Sequence, residues 1–347
     1  MISMIRYFFC FFYVCFLQCF SLAQSTKLDY TIAPWFENKK AAASLTFDDA
    51  VNGQFTVALP LLNQYGFKAT FFVTIRIIPQ QLGDWHLIRE AAGAGHEIAN
   101  HTLNHPYLHK LDDDSIRKEL MRCNQLIEMN IPAHKSVTMA YPYGDGGNET
   151  NYEQKVRSIV KENFIGARAT RNRSIPYNPY NFGTIEDNYY TVNSDMIADS
   201  ASMADLEKHL DEAIEAGGWY VPTYHGIENG WIIVSKKIFE EHLQIFDKRK
   251  NELWIAPFED VLKYHKERNC ASLKVLAEDK NEWTLALTDT LSNDTIWNHA
   301  LTINLSAPEW KIKNIRQSGT TIPFIIEKNR IIFHAVPGKN RIIITKL

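Results

Sequence analysis

From residue 41 onward the chain alternates short apolar runs with longer segments whose apolar residues recur at helical spacing. Ala42 to Phe47 (Ala-Ala-Ser-Leu-Thr-Phe) reads as a first buried strand. Phe55 to Tyr65 places Val57, Leu61, Leu62 and Tyr65 on one helical face, and Gly66 stands where a helix commonly stops. Ala69 to Thr74, β-branched and aromatic, predicts a second strand; Trp85 to Ala94 predicts a helix closed by Gly95; Glu97 to Asn100 predicts a third strand. Leu111 to Met129 is a long amphipathic helix with Asp112, Asp113 and Asp114 near its start, where carboxylates suit the helix dipole. Val137 to Ala140 then reads as strand, Glu153 to Asn163 and Ala204 to Glu215 as helices, Trp219 to Tyr224 as a late strand, and Ser235 to Lys248 as a helix. Strands alternating with helices imply βα units and a parallel sheet, hence an α/β fold, either a barrel or a doubly wound sheet.

The pattern changes after Asn269. Leu273–Leu276, Trp283–Leu287, Leu301–Leu305, Trp310–Ile315, Ile322–Ile326, Arg330–Phe333 and Arg341–Thr345 are short alternating runs separated by turn clusters, with no helices between them. That spacing predicts a small β-sandwich. The expected organisation is a leader over 1–23, an α/β domain over 24–269 and a β-sandwich over 270–347.

The leader is read from the first residues. Met1 to Arg6 is weakly positive, Tyr7 to Phe20 is apolar apart from Gln18, and Ser21-Leu22-Ala23 offers small residues at a cleavage position. The run is short for a membrane span, which needs about 20 apolar residues, so a removed signal peptide and a secreted or periplasmic protein are expected, with no stable membrane span afterwards. Cys19 raises lipoprotein anchoring as a second reading, although Leu17-Gln18 lacks the small residue such a site wants. Three of the five cysteines (Cys10, Cys15 and Cys19) fall in this leader. Cys123 and Cys270 are then too few for a disulfide framework; Cys123, inside a helical pattern, reads as a buried free thiol. A net charge of −3 offers no basic field, so a nucleic-acid partner is not expected. Oligomeric state is not legible.

Chemistry concentrates at the ends of the expected strands. Asp48 and Asp49 follow the first. Neighbours inside a strand face opposite ways, but at a strand end both reach one centre; the plainer reading has one of them cap the next helix. His101 and His105 follow the third strand at a spacing that brings both imidazoles to one side of a helical turn, which suits a shared metal. One carboxylate and two imidazoles make a three-ligand site with open positions, and the second carboxylate is left to act as a base. Tyr141-Pro142-Tyr143-Gly144 is a shaped turn able to aim a backbone N–H at an oxyanion. His225 follows the last strand and suits a general acid.

These residues together resemble the polysaccharide deacetylase family with the NodB homology domain (carbohydrate esterase family 4). Thr46-Phe47-Asp48-Asp49-Ala50 matches its motif Thr-Phe-Asp-Asp-Gly except at the last position; His101-Thr102-Leu103-Asn104-His105 matches His-Ser/Thr-x-x-His. Pro142-Tyr143-Gly144 matches the end of Arg-x-Pro-Tyr-Gly, and Tyr224-His225 stands where Leu-x-His would lie. The resemblance implies a distorted (β/α) barrel, a divalent metal, often zinc, on Asp49, His101 and His105, Asp48 as base, the Tyr143 N–H at the oxyanion and His225 as acid. It implies removal of N- or O-linked acetyl groups from an acetylated carbohydrate.

Three positions depart from the pattern, and one segment of it is missing. Ala140 replaces the arginine that would orient Asp48, Thr223 replaces the leucine of the acetyl pocket, and Ala50 replaces glycine. No Asp-Trp segment supplies a partner for His225; Asp187, Asp195 and Asp199 are the candidates. A catalytically degenerate glycan-binding barrel is therefore the second reading and a glycoside hydrolase the third. The latter suits adjacent carboxylates poorly, since a glycosidase pair flanks the sugar bond from separate segments. Trp283, Trp297 and Trp310 are either sugar-facing or core residues of the sandwich.

Overall fold

A computed structural model describes residues 29–146, 150–170, 189–292, 295–306, 311–338 and 341–347. The leader, Asp187 and Trp310 lie outside them.

Among the described residues, seven strands form a parallel sheet in the spatial order Gly166–Arg168, Thr138–Ala140, Glu97–Asn100, Thr70–Val73, Thr46–Asp48, Pro222–Tyr224 and Asp195–Met196. A parallel neighbour needs a long crossover, supplied here by helices such as Leu59–Tyr65, His86–Gly93, Asp113–Asn130 and Asn151–Lys161. Polar side chains cap three helices: Asp112 accepts from the N–H of Ser115 ahead of Asp113–Asn130, Ser202 from that of Asp205 ahead of Met203–Ala216, and Ser235 from that of Ile238 ahead of Lys236–Arg249. Gly66 ends its helix at φ 72°, a left-handed position that glycine takes without strain.

Two runs expected as single strands are each split between sheets. Ala41–Ala43 pairs with Leu253–Ile255 and Trp219–Tyr220, while Thr46–Asp48 and Pro222–Tyr224 pair in the seven-stranded sheet. Pro222 has no N–H and marks the second break. The breaks face one another, with the Trp219 indole donating to Ser44 Oγ at 3.0 Å and Ser44 N–H to the Tyr220 carbonyl at 2.9 Å. The three-stranded and seven-stranded sheets thereby continue into each other, and the result is a distorted (β/α) barrel. Its wall is apolar on both faces, as buried parallel strands require: Phe47, Phe71, Phe72, Ile98, Ala99 and Met139 are all buried.

The helix Phe258–Cys270, unforeseen from the pattern, leads directly into the strand Ser272–Glu278. Two antiparallel sheets follow. Inward residues of both, among them Trp283, Leu285, Ile303, Phe333 and Ile344, share one hydrophobic cluster with the adjoining side of the barrel. Trp283 is thus a core residue, and Trp297 packs on the same cluster. The chain's first described strand, Tyr30–Ile32, pairs with Leu305–Ile303 in this sandwich although it precedes the barrel in sequence. A three-residue strand carries too little periodicity to be seen. Cys123 is buried, and both it and Cys270 are free thiols. No described helix is long and apolar enough to cross a membrane.

Candidate metal centre

Five parallel strands deliver the candidate residues from their C-terminal ends: Asp48, the residue after Asn100, the turn after Ala140, Arg168 and the residue after Tyr224. This is where parallel α/β sheets gather ligand chemistry.

Asp48 closes its strand, and Asp49 turns out of it at φ 79°. That turn brings adjacent carboxylates to one centre: His101 Nε2 lies 3.8 Å from Asp48 Oδ2 and 3.6 Å from Asp49 Oδ1. Neither carboxylate caps the following helix, which has no side-chain cap. His105 Nε2 is 3.4 Å from Asp49 Oδ1. Ligand atoms of Asp49, His101 and His105 all fall within 4.8 Å of one another. The two imidazoles meet through a loop instead of the helical turn expected from their spacing. Thr102 (φ 70°) and His105 (φ 56°) are left-handed, and the Asn100 side chain accepts from Thr102 N–H at 2.8 Å. Thr102 Oγ accepts from His105 N–H at 2.9 Å, and Glu119 grips Asn104 through its N–H and its amide. Side-chain hydrogen bonds to the backbone here replace a helical ladder.

The donor set fits a divalent cation such as zinc: one carboxylate and two imidazoles, with coordination positions free. His101 Nδ1 lies 2.9 Å from the Ala140 carbonyl and donates to it, so Nε2 keeps its lone pair for a metal. Burial, aided by His101, pushes the His105 pKa down to about 4, so this imidazole is neutral as a ligand must be.

Asp48 is held differently. Its Oδ2 accepts from Arg168 Nη2, while Oδ1 is buried with no hydrogen-bond partner among the described residues. Burial alone would raise its pKa, but Arg168, His101 and His225 together hold it below the usual carboxylate range. Arg168 was not among the residues singled out from sequence, where Ala140 left Asp48 without an orienting cation. It is wholly buried; Nη1 donates to Ser194 Oγ at 2.9 Å and Thr223 Oγ1 at 3.2 Å. Thr223 is the residue at the expected leucine position, so two departures from the motif pattern meet in one interaction. Thr223 Oγ1 also contacts Thr46 Oγ1 at 2.9 Å.

His225 Nε2 lies 3.9 Å from both Asp48 Oδ2 and Asp49 Oδ2, and burial lowers its pKa against the pull of the two carboxylates. Its Nδ1 has no partner among the described residues. Of the candidates for that partner, Asp195 binds His209 at 2.7 Å and Asp199 accepts from Ser235 N–H at 2.9 Å. The Gln54 side chain, also unforeseen, donates to the carbonyls of Asp48 at 2.5 Å and His225 at 2.8 Å, tying the two strand ends together. Tyr143 sits in its turn at φ 58°; its exposed ring stacks on Tyr107 at 4.0 Å and meets the His105 ring edge-on at 4.5 Å.

Residues 37–163 match the family model for polysaccharide deacetylases. Over 338 residues, covering 90% of this chain and 13% of the relative, the sequence is 26% identical to a gellan lyase of a Bacillus species. It is 28% identical over 128 residues to a peptidoglycan-N-acetylglucosamine deacetylase of Bacillus cereus, covering 36% of this chain and 43% of that protein. A chitooligosaccharide deacetylase of a Bradyrhizobium species is 36% identical over 101 residues, 29% of this chain and 45% of the relative. The chain thus spans less than half the length of each of these relatives. With the motif residues gathered on one barrel rim, residues 37–163 are thus similar to the polysaccharide deacetylase family.

Proposed function

We propose that this chain is a metal-dependent deacetylase that hydrolyses N- or O-linked acetyl groups on a polysaccharide or oligosaccharide, with zinc as the ion. The observation that carries this reading is a buried Asp48 paired with Arg168, beside the Asp49, His101 and His105 cluster. When bound, the cation supplies a Lewis acid for the acyl carbonyl and acidifies water. Asp49, His101 and His105 would hold it. Asp48, kept ionised by Arg168, takes the proton of the attacking water through Oδ1. Tyr143 offers its N–H to the developing oxyanion. His225, whose burial makes its imidazolium a stronger acid, donates to the departing amine or alcohol.

The reading of a barrel that binds glycans without turnover drew on the missing arginine at 140, and Arg168 takes away that ground. Deacetylases named for peptidoglycan and for chitooligosaccharides are among the relatives, and an alignment over 338 residues is to a protein named for gellan, so the substrate we assign is an acetylated polymer or oligomer. The leader read at residues 1–23 would put this activity outside the cytoplasm. The test is acetate release from chitooligosaccharides, acetylxylan and peptidoglycan, with and without chelator. Release that stops on chelation and returns with zinc supports the proposal; reducing ends without acetate would favour a glycosidase instead.

A further inference from the structure

The loop after His225 places Trp231 on the metal-facing carboxylate. Its indole Nε1 donates to Asp49 Oδ2 at 2.7 Å, although the residue is 38% exposed. No family motif quoted above contains it.

Asp49 therefore has two differently committed oxygens. Oδ1 is the one near both imidazoles, at 3.6 Å from His101 Nε2 and 3.4 Å from His105 Nε2. Oδ2 holds the indole N–H and lies 3.9 Å from His225 Nε2. Without the indole, a long 3.5 Å hydrogen bond from Thr74 Oγ1 to Oδ1 is left to resist rotation of this carboxylate, which can then offer both oxygens to one ion or draw in the His225 ring.

The tryptophan is fixed although it is exposed. Gly226 N–H donates to the Trp231 carbonyl at 2.9 Å, Val234 N–H to the Gly226 carbonyl at 2.9 Å and Glu228 N–H to the Val234 carbonyl at 3.0 Å. Asn229 Oδ1 accepts from Gly53 N–H at 3.2 Å. Gly230, at φ 97°, sits where a Cβ would lie 2.5 Å from Val51 Cγ1, two residues beyond Asp49. The loop is thus locked onto the strand end that carries the carboxylate, which is how a supporting residue holds a ligand in place.

We propose that Trp231 is a positioning residue that restricts Asp49 to one metal-facing oxygen and keeps His225 off that carboxylate. This rests on the metal-dependent reading above.

The test compares Trp231→Phe, which keeps the ring and removes the N–H, with the wild-type chain loaded with cobalt(II). The expected result is a cobalt(II) affinity lower by about 10- to 100-fold, the usual cost of losing such a supporting contact. A changed visible absorption spectrum, a fall in kcat with KM little changed, and an unaltered melting temperature of the metal-free protein should accompany it. Trp231→Gln, which restores an N–H donor, recovers part of the affinity. Cobalt(II) affinity and spectrum identical to wild type in Trp231→Phe overturn the proposal. If wild type binds cobalt(II) but releases no acetate, the deacetylase reading fails while the affinity comparison still decides this one; a wild type that takes up no cobalt(II) overturns both.

Discussion

Ala140 and Arg168 are register partners on neighbouring parallel strands, so their side chains leave the same face of the sheet about 4.8 Å apart. The arginine expected at 140 is, in effect, delivered from the next strand. Its guanidinium is received by Ser194 and Thr223. A hydroxyl in place of leucine at 223 gives a buried cation the acceptor it needs.

Removing that cation should cripple the base. Arg168→Met leaves Asp48 buried without its guanidinium partner, so that His101 and His225 alone oppose the upward pull of burial on its pKa. Because the proposed base must be ionised to take a proton, the acid limb of kcat/KM moves to higher pH, and kcat at neutral pH falls by about 100-fold or more, the scale of general-base catalysis. Adding Ala140→Arg to Arg168→Met should restore part of the rate and move the limb back. A pH profile unchanged in Arg168→Met contradicts this role.

This relationship also shows where sequence reading stops. The βα alternation and the change of pattern near residue 270 were legible because long periodic segments record burial directly. So was the gathering of Asp48, Asp49, His101, His105 and His225 at strand ends. Arg168 was not, because a lone arginine closing a three-residue strand carries no periodicity, and register between strands is a tertiary fact. Trp231 and Gln54 were missed likewise, since each acts through one contact made across the barrel mouth. The strand break near Ser44 carries no turn residue, and the one near Val221 is marked by Pro222 alone, which also stands at the start of ordinary strands. The imidazoles meet as the His-x-x-x-His spacing suggested, but through a left-handed loop that no periodicity announces.

Ala50 tests the strain at the turn after the carboxylates. At φ 68° it pays the left-handed penalty of about 1–2 kcal/mol that glycine escapes. Its methyl group is buried, and losing it forfeits about 0.8 kcal/mol. Ala50→Gly should therefore leave stability unchanged or raise it by up to about 1 kcal/mol in denaturant unfolding. Ala58→Gly, in ordinary helical geometry, should lower it. A loss at Ala50 equal to that at Ala58 would show the turn to be unstrained.

A buried carboxyl at the start of the strand Glu97–Asn100 gives stability a pH dependence. Burial, with Glu259 nearby, pushes the Glu97 pKa up to about 8, against hydrogen bonds from Thr138, Glu259 N–H and Thr70. The folded state then binds this proton more tightly than the unfolded chain. The contribution is fully present below the unfolded value of 4.5 and is lost as pH rises through about 8. Glu267, also raised to about 8 by burial, adds a slope of the same sign. Glu97→Gln should flatten, without abolishing, the fall in melting temperature between these limits. An identical slope in wild type and Glu97→Gln would mean that Glu97 is ionised in the fold.

Separation of base from ligands within one acidic pair is the centre of this account, and Asp48→Asn isolates it. Acetate release from an acetylated glycan, measured beside metal content on the same zinc-loaded samples, is the direct measurement. Wild type should release acetate, while Asp48→Asn retains its metal and loses turnover by about 100-fold or more, as expected when a general base is removed. Acetate release by Asp48→Asn at the wild-type rate, with equal metal bound, would contradict the assignment of Asp48 as the base.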